Sequence, residues 1–494
     1  MITTQDHIST SSFRGPAEVG PPRLAGLPGV TRDDVATSEV LEVERYDTDD
    51  RRLTAAGISL TLRRGGDTDQ WQLDLPDGDA AEHLRVPAGE HTAVPAELDE
   101  LVRGASRDRA VHAAGRVRTV RTATRLLAAR GKVLATVVHD EVTLATLGRS
   151  TEVEGWTEVS VIPAAADAEL LAAVEERIVD AGMRPAAPAG EAELDRLLRP
   201  ATRRRSPARK GTAGRVVHDY LAAQVERLAA QDLRVRRGES DAVHQIRVTA
   251  RRLRSALQSF RPLLDRERTD PLVDALRTLA RELAPARDAE VLRERITAGL
   301  DALPSELLLG PVQAQVTRHF ARVEAEAHAA VLSALDGESY VALRRGLDEL
   351  VERPPLTEGA SAKAGKTLPS LVGRRARKLD RAMDAALAGD DVAIHTARKA
   401  AKQLRYATEV ARPVGGKPAA RFARSLKGVQ QALGEHQDTV VARDTLRELG
   451  AQAENGFSFG VLLGRDAASA ATVEAGLERT WTATRSTKLR RWMA

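Results

Sequence analysis

The chain has 494 residues, with 74 Lys and Arg against 70 Asp and Glu, 42% hydrophobic residues and no cysteine. That length exceeds one ordinary hydrophobic core, and the balance of apolar and charged residues belongs to folded globular domains. The missing thiols exclude disulfides, thiolate nucleophiles and cysteine-ligated metals. No apolar run reaches the roughly 18 residues needed to cross a bilayer, and Met1-Ile-Thr-Thr-Gln-Asp6 is not leader-like, so the expectation is a cytoplasmic protein with no membrane partner. The net charge of +4 is small, so where each sign clusters matters more than the total. Aromatic residues are scarce at 3%, which counts against a single-strand nucleic-acid binder that needs stacking platforms.

Residues 37–160 alternate apolar and polar side chains in short runs, the pattern of half-buried strands. Gly57–Arg63, Gln70–Leu75, Lys132–Val138 and Trp156–Ile162 are examples, with turn signals at Gly65-Gly66, Pro76-Asp-Gly78 and Gly131. After Pro163 the period becomes helical over Asp167–Ala181, and Glu191–Leu198 reads as a short final helix. Arg199–Thr212 then combines proline, glycine and six cations with almost no apolar content, which marks an exposed linker. Beyond it the apolar residues recur at helical spacing among Ala, Leu, Arg and Glu, with no convincing strand. Pro354–Pro369 interrupts this region and is expected to join two helical halves.

Those halves repeat a pattern. His244, Arg247, Arg251 and Arg254 fall at i, i+3, i+7 and i+10, and His395, Arg398, Lys402 and Arg405 fall at the same offsets 151 positions later (395 minus 244). At about 100° per residue, each set occupies one narrow helix face. A second landmark follows each set, Leu283-Ala-Pro-Ala-Arg-Asp288 and Leu433-Gly-Glu-His-Gln-Asp438, preceded by Arg277 and Lys427. One helix with three cations on a face is commonly just a solvated face. Recurrence of histidine and cations at four matched offsets, with no acid among them, argues for a duplicated binding ridge between two facing bundles. Like charges at this spacing repel, and the plain role of Asp288 and Asp438 is to fix a cation's rotamer. Two carboxylates do not neutralise eight basic side chains, so a multivalent external anion completes the arrangement, and arginine's planar fork suits phosphate oxygens.

The paired motifs His244-x-x-Arg247-x-x-x-Arg251-Arg252-Leu-Arg254 and His395-x-x-Arg398-Lys399-x-x-Lys402-x-Leu-Arg405-Tyr406, with their landmarks, resemble the CHAD domain, the conserved histidine alpha-helical domain, over about residues 213–450. The resemblance implies a pseudo-twofold helical module that binds inorganic polyphosphate along a basic channel and associates with polyphosphate granules. The contacts it implies are His244, Arg247, Arg251, Arg252, Arg254, Arg277 and Arg281 in the first copy. In the second they are His395, Arg398, Lys399, Lys402, Arg405 and Lys427, with Asp288 and Asp438 as orienting acids.

The strand region resembles the CYTH domain of the triphosphate tunnel metalloenzymes, through Tyr46-Asp47-Thr48, Arg52-Leu53, Ala56-Gly57-Ile58-x-Leu60, Gly65-Gly66 and Trp71-x-Leu73-x-Leu75-Pro76. That family implies an eight-stranded antiparallel barrel in which lysine and arginine grip a triphosphate and glutamates hold a divalent metal. Its opening E-x-E-x-K is absent from Asp6–Phe13, while Glu42-Val-Glu44-Arg-Tyr46 reads as a second strand with alternating surface acids. Asp74 stands where a lysine is expected, and Thr136 and Ser160 stand where acids are expected, while Arg116, Arg118 and Arg121 persist. Without the metal and its carboxylates nothing neutralises the developing charge, so the expectation is against an enzyme, with no catalytic residue, metal or cofactor assigned.

The expected fold class is therefore multi-domain α+β. An antiparallel, CYTH-like β-barrel at 1–198 and a basic linker at 199–212 precede a CHAD-like, internally duplicated helical bundle at 213–494, with halves at about 213–353 and 370–494. The leading expectation is a non-catalytic polyphosphate binder. A metal-dependent triphosphatase with a divergent site, needing a divalent cation, and a nucleic-acid backbone binder are the alternatives. Metal binding by His244 and His395 is disfavoured because each is flanked by cations.

Overall fold

In a computed structural model, residues 10–494 are described except 25, 67, 78–79, 90–92, 149–150, 165–166, 200–207, 389–390, 454 and 494; the side chains of 77, 80–82, 391, 435–441 and 469–475 also lie outside the described residues. The chain divides into two units, Met1–Arg203 and Arg204–Ala494.

Among the described residues the first unit is built on nine strands, β1 (Ser11–Pro16), β2 (Arg32–Asp47), β3 (Ser59–Arg64), β4 (Gln70–Asp77), β5 (Ala80–Pro87), β6 (His112–Leu127), β7 (Val133–Thr146), β8 (Val153–Pro163) and β9 (Arg184–Pro185). They form one sheet in the order β5-β4-β3-β2-β6-β7-β8-β1-β9, antiparallel at every pairing. The closure expected of a barrel is not seen among the described residues, where β5 and β9 are edges. Period-two burial explains the strands: Trp71, Leu73 and Leu75 of β4 and Leu60 and Leu62 of β3 are all buried. The Glu42–Tyr46 run falls in β2, the second strand, as its continuity with Asp47 indicates. Asp6–Ser9, part of the expected first strand, lies outside the described residues.

Among the described residues four helices accompany the sheet, α1 (Arg52–Ala55), α2 (Ala96–Ser106), α3 (Ala168–Asp180) and α4 (Gly190–Leu198). Buried Asp47 holds the turn into α1 by accepting from the backbone N–H groups of Thr48, Leu53 and Thr54 and from the Thr54 hydroxyl. Leu170, Val174 and Ile178 of α3 cluster with Ala135 and Val137, whereas Leu194 and Leu198 of α4 cluster with Val142 and Leu144. Alternate residues of β7 point to opposite faces, so α3 and α4 cover opposite sides of the sheet.

The second unit is helical: α5 (Ala213–Arg236), α6 (Ala242–Ser259), α7 (Arg266–Glu282), α8 (Ala284–Asp301), α9 (Val312–Asp336), α10 (Glu338–Glu352), α11 (Ala364–Leu387), α12 (Asp391–Gln452), α13 (Phe457–Thr484) and α14 (Thr487–Arg490). The duplication shows in the element bounds. Helix α11 starts and ends 151 positions after α5 (364 minus 213, 387 minus 236). The long α12 is interrupted at Gly416, with φ of 52° and ψ of −140°, so it is two helical segments in succession. Gly416 lies 151 after Asp265, the N-cap of α7 (416 minus 265), so the second segment is the counterpart of α7 and α8 run together. Glycine takes this left-handed φ without a Cβ clash, and Pro418 sits in the first turn beyond it, where no intrahelical N–H is required.

The two halves meet in reciprocal contacts. Thr212 and Lys363, the N-caps of α5 and α11, form an isolated antiparallel bridge. The Ala213 N–H donates to the Ala362 carbonyl at 2.8 Å, and the Ala364 N–H donates to the Gly211 carbonyl at 3.0 Å. Each pair is related to the other by the 151-residue shift, the pattern of a local twofold axis. One apolar core runs through both halves, from Val217 and Leu253 to Leu368 and Leu404. Helix α11 begins ahead of the expected boundary at 370, and Pro369 is inside it.

Candidate polyanion-binding site

Helix α6 buries Val243, Ile246, Ala250, Leu253 and Leu257, and that apolar stripe turns the His244, Arg247, Arg251 and Arg254 face away from the core. All four are half-buried. Arg247 Nη1 donates 2.8 Å to the Leu283 carbonyl, at the junction of α7 and α8. In the second copy a Cβ placed on Gly434, 151 residues after Leu283, would lie 3.9 Å from an Nη of Arg398, 151 after Arg247. Both landmarks therefore sit beside their ridges, and in the first copy the contact is made to backbone.

Asp288 is exposed and makes no ion pair among the described residues, although its charge is the largest influence opposing the burial that lowers the Arg247 guanidinium. The Asp438 side chain lies outside the described residues. Arg287 is engaged with Glu290 at 3.0 Å. Burial, followed by the Arg287 charge, holds the His244 imidazole below its ordinary value; Asp241 pulls the other way, and Arg251 and Arg247 add to the depression. Arg254 is lowered by burial first and then by Arg277 and Arg251. Arg251 and Arg254 have no hydrogen-bond or ion-pair partner among the described residues, and the Arg251 Nε is buried. Two guanidiniums thus lie beside one another, partly desolvated and without a bridging carboxylate among the described residues.

The remaining predicted contacts spread outward. Arg277 is exposed and pairs with Asp274 at 2.7 Å, and Arg281, Lys399 and His395 are exposed, while Lys402 is half-buried. Where the halves meet, Arg252 Nε donates to Glu409 at 3.2 Å and Arg405 Nη1 donates to the same carboxylate at 3.1 Å. Both guanidiniums also lie over the buried Tyr406 ring, 5.7 and 4.7 Å from its centre. The ridges thus do contain a built-in acid, Glu409, which sequence reasoning missed; it stands four residues after Arg405, the spacing of a helical ion pair.

Beyond Glu409 opens a cavity of about 720 Å³. Among the described residues six cations line it, Arg227, Arg252, Arg405, Arg412, Arg424 and Lys427, against the single carboxylate of Glu409. Of these, Arg227, Arg412 and Arg424 were not anticipated, because they come from α5 and from both sides of the α12 kink and share no local spacing. A basic ridge on each half and a basic cavity beside their junction fit the helical module named above.

Comparison with known proteins agrees. The CHAD domain family model matches residues 219–447. Two Mycobacterium tuberculosis proteins, Uncharacterized protein MT2285 and Uncharacterized protein Rv2226, are 33% identical over 472 residues, covering 90% of this chain and 90% of each relative. The chain belongs to the CHAD-domain family. Among solved structures, PptA from Streptomyces chartreusis matches 55% of this CHAD protein and 99% of its own length at 23% identity and a TM-score of 0.46. The CHAD domain from the plant Ricinus communis matches 56% of this chain and 96% of its own at 24% identity and a TM-score of 0.43. For the strand unit, a putative adenylate cyclase from Bacillus halodurans matches 33% of this chain and 94% of its own, at 10% identity and a TM-score of 0.19.

The N-terminal unit of this CHAD protein presents arginines already bound to acids. Arg116 pairs with Glu44, Arg118 lies 3.6 Å from Glu42, and Arg121 holds Asp140 through two bonds of 2.9 and 2.8 Å. Glu44 is buried, which corrects its reading as a surface acid: the β2 face that carries it is covered, and Tyr46 donates to it as well. Helix α4 sends Glu191 to Arg63 and Asp195 to Arg45. Among the described residues no group of three or more His, Asp or Glu side chains is arranged to hold a metal ion, and no helix is long and apolar enough to cross a membrane.

Proposed function

We propose that the helical unit binds inorganic polyphosphate along the two ridges and that the chain acts by binding rather than by catalysis. The observation that carries this reading is the environment of Arg254: a half-buried guanidinium beside Arg251 and Arg277, with no hydrogen-bond or ion-pair partner of its own among the described residues. A polymer with one negative charge per phosphate relieves that repulsion along the length of a ridge, and each arginine offers a forked pair of donors to its oxygens. Tyr406 is buried between two arginines and leaves no open ring beside the ridges, which favours phosphate over bases as the recognised feature. Collection of the protein on polyphosphate granules follows from such binding.

The test is capture of the purified chain on immobilised long-chain polyphosphate. The variant carrying Arg247→Ala, Arg251→Ala, Arg398→Ala and Lys402→Ala loses capture while its helical circular dichroism is retained. Affinity falls steeply with salt, since counterion release dominates such binding. A flat salt dependence, equal displacement by duplex DNA at matched phosphate, or chelator-sensitive phosphate release from tripolyphosphate contradicts the proposal.

A further inference from the structure

The cavity beside Glu409 differs from the ridges in more than charge. Gln224 of α5 lines it, is 3% exposed, and its Oε1 has no hydrogen-bond partner. Tyr220, one turn earlier, lines it too; its Oη is likewise buried and unpartnered, and burial followed by the Glu409 charge raises that phenol, so it remains a neutral donor. The Nε of Arg405 is a third buried polar atom without a partner. Groups left this way are costly unless something satisfies them. Together they ask for a ligand that both accepts and donates.

We propose that this cavity receives the terminal phosphate of a linear polyphosphate, while the ridges hold the interior of the chain. The inference rests on the polyphosphate reading above and adds which part of the polymer goes where. An interior phosphate carries one charge and offers acceptors only. A terminal phosphate carries close to two, and because its second ionisation falls near pH 6 it retains an O–H for part of the time near neutrality. It is therefore the most anionic unit of the polymer and the one able to donate. Six cations meet the charge, Tyr220 donates to a phosphate oxygen, and Gln224 Oε1 accepts from the O–H. Position agrees as well. Arg405 is the last cation of the second ridge and also lines the cavity, so a chain following that ridge arrives at its mouth.

The experiment compares tripolyphosphate with cyclic trimetaphosphate, which has the same number of phosphates and no end, as ligands of the full chain in calorimetry. Tripolyphosphate binds more tightly, and its charge alone contributes part of that preference. The neutral double variant Gln224→Leu, Tyr220→Phe alters no charge and is expected to cost tripolyphosphate about tenfold in affinity while leaving trimetaphosphate unchanged. Arg424→Ala, at an exposed position in the same wall, reproduces the loss without touching a buried group. The inference is overturned if both variants keep the full linear-over-cyclic preference. Failure of the polymer reading looks different: the wild-type chain then does not capture long-chain polyphosphate at all, whereas failure of the present inference leaves capture intact.

Discussion

Arg252 reaches across the two halves of the helical unit to Glu409 at 3.2 Å, and the counterpart of this contact under the 151-residue shift is the neutral bond from Gln403 to Gln258, also 3.2 Å. Gln403 follows Arg252 by 151 residues and Glu409 follows Gln258 by the same interval (403 minus 252, 409 minus 258). Ser255 and Tyr406, midway along each segment, are also 151 apart, so α6 and α12 meet at equivalent points. An isologous contact of this kind is expected to be the same twice. Here it has diverged, and a carboxylate was placed on one side only of a junction otherwise dominated by arginines.

Replacing Glu409 with glutamine removes that carboxylate while keeping the shape, and the Gln403–Gln258 pair shows that an amide is accommodated in this geometry. Glu409→Gln is expected to bind long-chain polyphosphate about 3- to 10-fold more tightly at low salt, with a steeper dependence on salt because one more cation is free to displace counterions. A salt-series titration measures both. Weaker binding by this variant contradicts the view of Glu409 as a resident competitor for Arg252 and Arg405.

Gly214 and Gly365 are equivalent positions, 151 apart, in the first turns of α5 and α11, yet their surroundings differ. A Cβ on Gly214 would lie 2.9 Å from the Ala360 Cβ and 3.1 Å from its carbonyl oxygen, whereas nothing lies within 4 Å of one on Gly365. Gly214→Val is expected to destabilise the helical unit by about 1–3 kcal/mol through overpacking at the junction of the halves. Gly365→Ala is expected to leave stability unchanged or raise it by about 0.5–1 kcal/mol, from helix propensity. Thermal unfolding of the two variants side by side separates these outcomes.

How much of this was readable beforehand depends on whether a feature is local. The ridges were, because His244 to Arg254 and His395 to Arg405 obey one helical spacing and repeat. The cavity was not, since Tyr220, Arg252, Arg412 and Arg424 come together only through packing of three helices and a kink. Glu409 lay between these cases: its spacing from Arg405 was visible, but its bond to Arg252 spans 157 residues. In the strand unit α2 was passed over within a region read as strands, although Pro95 followed by Glu97 and Asp99 is a helix-start signal. Barrel closure is a property of the whole sheet's edges, which alternation within single strands does not encode.

The His244 imidazole is held below its ordinary value by burial first and then by Arg287, so the unfolded chain takes up the proton before the folded one. The contribution of this residue to stability is therefore complete above the ordinary value near 6.5 and is lost as pH falls below it. A bound polyanion reverses the local field. Polyphosphate binding should raise the His244 titration, take up a proton and strengthen as pH falls from 7 toward 6. Histidine NMR titration with and without polymer reads this directly, and His244→Gln should flatten that pH dependence. An imidazole that titrates identically in the saturated complex excludes contact with phosphate.

In the strand unit, Arg45 has a side chain 8% exposed, and the acid it holds, Asp195 of α4, is 49% exposed. Removing Asp195 strands a buried guanidinium, but the open side of the pair is screened by water, so Asp195→Ala is expected to cost about 1–3 kcal/mol rather than the larger penalty of a fully buried pair. The loss falls on the docking of α4, whose Leu194 and Leu198 are buried against the sheet. Limited proteolysis should accordingly cut within α4 faster. The second change Arg45→Met should recover part of the stability, because it removes the charge that was left behind and restores apolar volume. Polyphosphate capture by either variant should match wild type, since the ridges belong to the other unit; a parallel loss of capture would mean that the strand unit takes part in binding.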